Sequence, residues 1–393
     1  MKSWVSRRSL LCLCLVFSLV GMLLLVGCNT PVSSSTSPAS SSEASISASN
    51  NAELIPDGSL PLDFAKQFTV DFFQGGYALI TVGGSQRFLT IPEGQQVPEA
   101  IEDDIVLLQL PLNHILISST PTMSLINAIG ALDAITMTTT ELDSWYIDEV
   151  ITAMQEEKLA FIGSYREPDY EMIVAENPPF SVFSTMLDSV PEVAAKLQEL
   201  NVPYLLDQST FEEHPLARIE WVKLYGVLFD KLDVATLHFQ EQKSVVEALT
   251  TSEKTGETAV IFYITSKGDI YVRNSGDYIV SMLDLAGGSY VFDALNPGES
   301  GTQKLEPEAF YDGARDADYI IYIHNLGGRP ADIAEFTTKL EGLADFRAVQ
   351  NDQVWCTTPN FFQVADTLGY MIEDLSTMMI TEEDTLTYLF KLR

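Results

Sequence analysis

The run Leu232-Asp233-Val234-Ala235-Thr236-Leu237-His238-Phe239-Gln240-Glu241-Gln242-Lys243-Ser244-Val245-Val246-Glu247-Ala248-Leu249-Thr250-Thr251-Ser252 contains no glycine and no proline. Ala235, Phe239, Gln242, Val246 and Leu249 recur along it at i, i+4 and i+7 spacing, so one face is apolar apart from the Gln242 amide. A helix of about 20 residues is about 30 Å long, enough to pass from one domain to its neighbour. An ordinary amphipathic surface helix carries the same pattern. Its position between two stretches that each alternate strands with helices favours a connector.

Upstream, His114–Ser118 reads as a buried strand and Met123–Gly130 as a short helix ended by glycine. Glu171–Ala175 reads as a further strand, Pro191–Leu200 as a helix with proline in its first turn, and Val202–Leu206 as a returning strand. Downstream, Ala259–Ile264 reads as a strand and Tyr278–Ala286 as a helix closed by Gly287-Gly288. Asp318–His324 and Gln353–Cys356 are further strands, and a final helix is expected from Phe362 to Met379. This alternation predicts two α/β halves with mostly parallel sheets. Before them, Phe68–Phe73 and Tyr77–Val82 flank Gly75-Gly76 and predict a leading β-hairpin.

The amino terminus reads as an export address. Lys2, Arg7 and Arg8 precede an apolar run from Ser9 to Val26 that ends in Gly27-Cys28. A signal peptide over residues 1–27 is expected, with Cys28 carrying a diacylglyceryl anchor. An uncleaved membrane helix is the alternative, since about 18 apolar residues just span a bilayer. Residues 28–59, rich in Ser, Thr and Pro, read as a tether. The divisions beyond it are a first lobe over 60–231, the connector over 232–252, and a second lobe over 253–393. Cys12 and Cys14 leave with the signal, so Cys356 is alone and the fold has no internal disulfide to rely on.

The net charge is −33, from 55 acidic against 22 basic residues. Such a surface repels phosphate backbones, which excludes nucleic acid as a partner. Catalytic signatures are missing as well: there is no Gly-x-Ser-x-Gly elbow, phosphate-binding loop or His-Glu-x-x-His pair. Carboxylate pairs such as Asp103-Asp104 and Glu382-Glu383 arise by chance among acids this abundant. His114, His214, His238 and His324 are far apart in sequence, so no bare metal site is expected.

Several pieces, in order, carry a resemblance. They are Ile115-Leu116-Ile117-Ser118-Ser119-Thr120-Pro121 with Leu125–Asp133, then Leu200-Asn201-Val202-Pro203-Tyr204, then Glu213-His214-Pro215-Leu216-Ala217-Arg218-Ile219-Glu220-Trp221. Ala286-Gly287-Gly288 and Ala348–Trp355 complete the set. Together they resemble the helical-backbone solute-binding lipoproteins of ABC importers for ferric siderophores, haem and cobalamin, over about residues 64–390. Ala217 departs from the pattern, standing where one branch of the family has glycine.

The resemblance implies two Rossmann-like three-layer α/β lobes joined by a single long helix, with the ligand held between them. It also implies surface carboxylates that meet the permease, by position Glu192 and Glu308. Loops after the strands are expected to face the cleft, which nominates Ser119, Thr120, Thr122, Asn177 and Phe180 from the first lobe. The second lobe contributes Lys267, Tyr271, Arg273, His324, Asn325, Asn360 and Phe361. The function expected is capture of a bulky metal complex, a ferric siderophore or haem first and cobalamin next, by a monomer outside the cell membrane. The partners are then an ABC permease and its ATPase, and no cofactor or catalysis is needed. A lipid-anchored extracellular hydrolase of glycans or esters is the alternative.

Overall fold

The computed structural model describes residues 53–250, 254–381 and 383–393; the expected signal peptide, Cys28 and most of the tether lie outside them. The connecting helix spans Leu232–Thr250 and buries Ala235, Phe239, Gln242 and Val246, the face its spacing predicts. It is clasped by two other helices, Pro215–Leu228 and Leu368–Ile380. Each approach runs through a glycine. A Cβ on Gly226 would stand 2.7 Å from the Ala235 Cβ, and one on Gly369 would stand 2.7 Å from the Gln242 carbonyl oxygen. The buried Gln242 amide has a reason: its Oε1 accepts the Gly369 N–H at 3.0 Å. That N–H lies in the first turn of the final helix, where no carbonyl of its own helix can take it.

Ahead of the connector lie two sheets. Strands β1 (Pro56–Ser59), β2 (Phe68–Phe73), β3 (Tyr77–Val82), β4 (Gln86–Ile91) and β5 (Ile105–Gln109) form one, in sequence order. The expected hairpin around Gly75-Gly76 is its β2–β3 turn, with Phe73 facing Tyr77. The sheet is larger than a hairpin because the alternation continues through β4 and β5. The last residues of the expected tether are ordered as edge strand β1.

The second sheet is wholly parallel: β6 (Ile115–Ser118), β7 (Ile135–Thr138) and β8 (Ala160–Phe161), then, after the small hairpin β9 (Gly163–Ser164) and β10 (Glu167–Pro168), β11 (Ser181–Ser184) and β12 (Tyr204–Asp207). Its order is β12-β11-β6-β7-β8. One strand prediction fails here. Glu171–Ala175 belongs to a helix, Tyr170–Glu176, because the Asp169 carboxylate accepts the Met172 N–H at 3.0 Å and caps it. Asn177 closes that helix in the left-handed region, at φ 45°.

After the connector, β13 (Thr258–Ile264), β14 (Ile270–Arg273), β15 (Ser289–Tyr290), β16 (Thr302–Leu305), β17 (Tyr319–Tyr322), β18 (Val354–Thr357) and β19 (Leu389–Lys391) form a mixed sheet. Its path is β16-β14-β13-β17-β18-β19, with β15 beside β13 and the β13-β17-β18 centre parallel.

Strand residues alternate between cores. Ile115 and Ile117 face a large shared core while Leu116 faces helices Tyr170–Glu176 and Pro191–Glu199. Ala259 and Ile261 join the same shared core, whereas Val260, Phe262 and Ile264 face Phe310 and Phe336. Sheets covered on both faces read as continuous apolar runs, which is why these strands were visible in sequence.

The leading sheet is tied down by carboxylates. Glu220, fully buried, accepts the Asp63, Phe64 and Ala65 N–H groups at 2.8 Å each and the Lys223 ammonium at 2.7 Å. Glu212 accepts the Lys66 and Gln67 N–H groups at 2.9 Å and the Trp221 indole N–H at 3.2 Å. Five consecutive backbone donors are thus satisfied by two side chains. Lys223 also donates to the Pro61 carbonyl at 3.1 Å and lies over the Phe239 ring of the connector. Replacing one partner of such a buried pair strands the other. Glu220→Ala should therefore lower the free energy of urea unfolding by about 3–5 kcal/mol; a loss below about 1 kcal/mol would show that the cage is not what holds this turn.

Candidate functional site

In the parallel sheet, the chain leaves β6 toward β7 on one side and returns to β11 on the other. Open α/β sheets bind ligands at such a switch point, beyond the carboxyl ends of the strands. Here those ends deliver Ser118-Ser119-Thr120 and Ser184-Thr185-Met186 to a cavity of about 450 Å3. Its opposite wall is Tyr278, Phe361, Phe362, Ala365 and Leu368 from beyond the connector, so both halves enclose it. The size and the mixture of apolar walls with a few fixed polar groups suit a small organic guest.

Several polar wall residues are positioned by local bonds. Ser119 Oγ caps helix Thr120–Ala128, and the Ser118 and Thr139 hydroxyls pair at 2.6 Å. Below them runs a buried network: Thr122 Oγ1 donates to Asp207 at 2.8 Å, and the Tyr225 hydroxyl donates to the same carboxylate oxygen. Burial, reinforced by the Asp207 charge, pushes the Tyr225 phenol far above its ordinary value, so it stays a donor. Helix Pro215–Leu228 buries every residue except Arg218. The Arg218 guanidinium reaches the cavity, lies over the Tyr278 ring with its Cζ 3.7 Å from the centroid, and donates to the Thr210 and Glu212 carbonyls at 2.6 and 3.0 Å.

One side chain bridges the two halves directly. Gln363 accepts the Tyr146 N–H at 2.9 Å and donates to the Ser144 carbonyl at 2.6 Å, as a backbone amide would in a ladder. Beside it Trp145 is buried, its indole N–H donating at 3.1 Å to the carbonyl of Thr140, a wall residue. A further cavity of about 480 Å3 lies between the leading sheet and the first half. Its charged lining residues are Glu93, Asp133, Asp230 and Lys231, and it shares no lining residue with the cleft.

Comparison with known proteins fits this geometry. A family model described as periplasmic binding protein matches residues 124–360. The chain belongs to the periplasmic binding protein family. Among relatives, an uncharacterized lipoprotein of Methanocaldococcus jannaschii, MJ0878, is 24% identical over 324 residues, spanning 78% of this chain and 75% of its own. A periplasmic haem-binding protein from Pseudomonas aeruginosa superposes with a TM-score of 0.55 at 14% identity, covering 72% of this chain and 98% of that one. The petrobactin-binding protein YclQ from Bacillus subtilis gives 0.55 at 14% identity, covering 69% and 94%. An ABC-type Fe3+-hydroxamate transport protein from Saccharomonospora viridis gives 0.54 at 20% identity, with the same coverage. At these identities the structures show a common fold, two α/β halves about one long helix.

The cleft of this periplasmic binding protein holds some of the residues expected from sequence and not others. Ser119, Thr120 and Phe361 line it. Thr122 is consumed by the network below, and Phe180 is a core residue, fully buried against Phe88. Asn177 is an exposed helix cap, and Lys267 an exposed turn residue between β13 and β14. Tyr271 stacks on Tyr263 at 5.2 Å. His324 is buried beside Phe390, and burial pushes its pKa down. Asn325 bridges the Thr357 hydroxyl and the Pro359 carbonyl, and Asn360 accepts from Thr358. Arg273 is buried behind Phe362. The strand-end rule misfires for Asn177 and Phe180 because they follow a helix, and for Lys267 and Tyr271 because β14 is an antiparallel addition at the sheet's side. Among the described residues, no group of three or more His, Cys, Asp or Glu is placed to hold a metal ion.

The sequence reading missed Thr140, Tyr165, Thr185, Arg218, Tyr278 and Phe362. Arg218 left a weak signal, being one of three charged residues in a helix that is otherwise mostly apolar, beside Glu220 and Lys223.

The Gln363 bridge makes a local forecast. Gln363→Ala removes two hydrogen bonds worth about 1 kcal/mol each, so the Tyr146 amide should exchange with deuterium several-fold faster in the variant while amides of β6 keep their protection. Equal exchange at Tyr146 in both proteins would remove Gln363 as a bridge.

Proposed function

We propose that this protein captures an iron complex of the siderophore or haem class in the cavity beyond β6 and β11 and hands it to an ABC importer. The observation that carries the reading is one cavity walled by both halves at the switch point. Residues 60–231 and 253–393 then act as the two jaws and 232–252 as their joint. The hydroxyls of Ser119, Thr120 and Thr185 offer hydrogen bonds to ligand oxygens, and Tyr165, Phe361 and Phe362 offer faces to flat organic parts. Named structures of the same fold, binding haem and petrobactin or moving ferric hydroxamates, support the guest class. The protein works outside the membrane, held by lipid on Cys28; a relative carrying the name lipoprotein supports the anchor. The hydrolase alternative falls with the family assignment.

Release follows docking. Glu192 and Glu308 are exposed, each in the first turn of a proline-started helix, one in each half. Such carboxylates suit bidentate pairing with permease arginines.

Two measurements test this. Tryptophan quenching, with Trp145 as reporter beside Thr140, should saturate with a ferric siderophore or haem; flat titrations with these and with cobalamin would reject the guest class. Reversing both Glu192 and Glu308 to Lys should abolish uptake in cells while leaving that titration unchanged. Uptake at the parental rate would reject the docking role.

A further inference from the structure

The chain carries 55 acidic residues, yet among the described residues no Asp or Glu lines the interlobe cavity. The single charge among the described wall residues is Arg218. Burial pulls that guanidinium below its ordinary value, with nearby Arg273 adding to the depression while Asp277 and Asp207 oppose it. Arg218 lies over the Tyr278 ring and Arg273 stands 3.7 Å from Asp277, the residue before it, so both guanidinium groups border the start of the same helix.

Arg273, at the end of β14, is only 7% exposed. Its Nη1 lies 3.7 Å from Asp277 Oδ2, too far for a hydrogen bond. Nε and Nη2 have no hydrogen-bond partner. Asp277 is committed elsewhere: Oδ1 accepts the Ile279 N–H, and Oδ2 accepts the Gly301 N–H and the Ser300 hydroxyl. Asp277 thus offsets charge but leaves two donors idle. Idle donors on a buried cation are costly. Only the Phe362 ring, itself a cavity wall, lies over this guanidinium, 5.7 Å from its Cζ. Nε and Nη2 are adjacent on one edge of the guanidinium, the fork that pairs with two oxygens of a carboxylate or catecholate.

We propose that Arg218 and Arg273 form a two-point anion subsite, with Arg273 reached when Phe362 turns aside, and that it selects an anionic chelate over a neutral one. The inference rests on the cleft being the binding site. Arg218 is held rigid by its two backbone carbonyl acceptors and meets the guest first. Arg273 meets it second, and the cost of its burial makes the contact discriminating.

The test uses the lipid-free exported chain and three probes: an anionic ferric tris-catecholate, a neutral ferric trihydroxamate, and metal-free citrate. Wild type should bind the catecholate at least about tenfold more tightly than the trihydroxamate, a difference of about 1.4 kcal/mol. Arg273→Gln should lose about tenfold for the catecholate and stay within twofold for the trihydroxamate. Arg273→Lys, which keeps the charge without the fork, should fall between them. Citrate should raise the Tm of wild type but not of Arg273→Gln. Equal affinity for the two chelates, or an Arg273→Gln protein indistinguishable from wild type, overturns the anion subsite and leaves the cleft reading intact. Citrate protection that depends on Arg273, with neither chelate bound, upholds the subsite and overturns the iron-complex reading. With no binding and no protection, both fall.

Discussion

The structure depends on how closely two helices can approach the connector. Gly226 and Gly369 each let a backbone come within a distance that a methyl group would forbid. Phe239 is buried between these contacts and Val246 one turn beyond them. Close-packed interfaces of this kind do not deform smoothly. Rotating one half against the other requires sliding three packed helices, so large swings are opposed by the loss of contacts along the whole connector. Small displacements, absorbed by side chains at the mouth of the cleft, are what the architecture permits.

The leading sheet obeys a different constraint. It lies outside the matched family region, which begins at residue 124, and it must be attached to a helix that is already nearly surrounded. Apolar packing supplies part of the joint, through Phe68 on Trp221. The remainder is polar and buried: Glu212 and Glu220 occupy the ring of N–H groups from Asp63 to Gln67. A carboxylate with three or four donors around it is a tolerable interior charge, and Lys223 neutralises it. His214, stacked on Phe64 at 4.6 Å and accepting the Leu216 N–H, completes the joint. The box Glu213 to Trp221, one of the pieces that carry the family resemblance, is therefore mainly a fastening, with Arg218 as the member that faces the cleft.

That division explains what was legible. Strands buried on both faces announce themselves as apolar runs, and the connector announces itself by periodicity, so both halves and their joint could be read from the residues. Glu171–Ala175 deceived because a short run with two β-branched residues looks like a strand until the Asp169 cap is considered. The site was harder to read for a different reason. Its walls come from loops and from single faces of otherwise buried helices, and membership depends on which loop the topology brings to the switch point. Ser119 and Thr120 follow directly from β6, so the strand-end rule finds them. Tyr278 and Phe362 arrive from the far side of the connector, and nothing local distinguishes them from core aromatics.

Joint and cleft together shift the burden of recognition onto side chains. A stiff connector cannot close widely around whatever enters, so selection must come from the walls as they stand and, under the proposal above, from the turning of Phe362. The surface field of a chain at −33 opposes the approach of an anion, but at physiological ionic strength that field decays over about 8 Å. Inside the mouth the charge on the described walls is the Arg218 guanidinium, and partial desolvation there strengthens its contacts. The acidic exterior thus acts mainly on the rate of encounter and on solubility, whereas the interior decides what stays. A protein can be strongly acidic overall and still present a local positive site, provided that the acids are kept off the walls, as they are here.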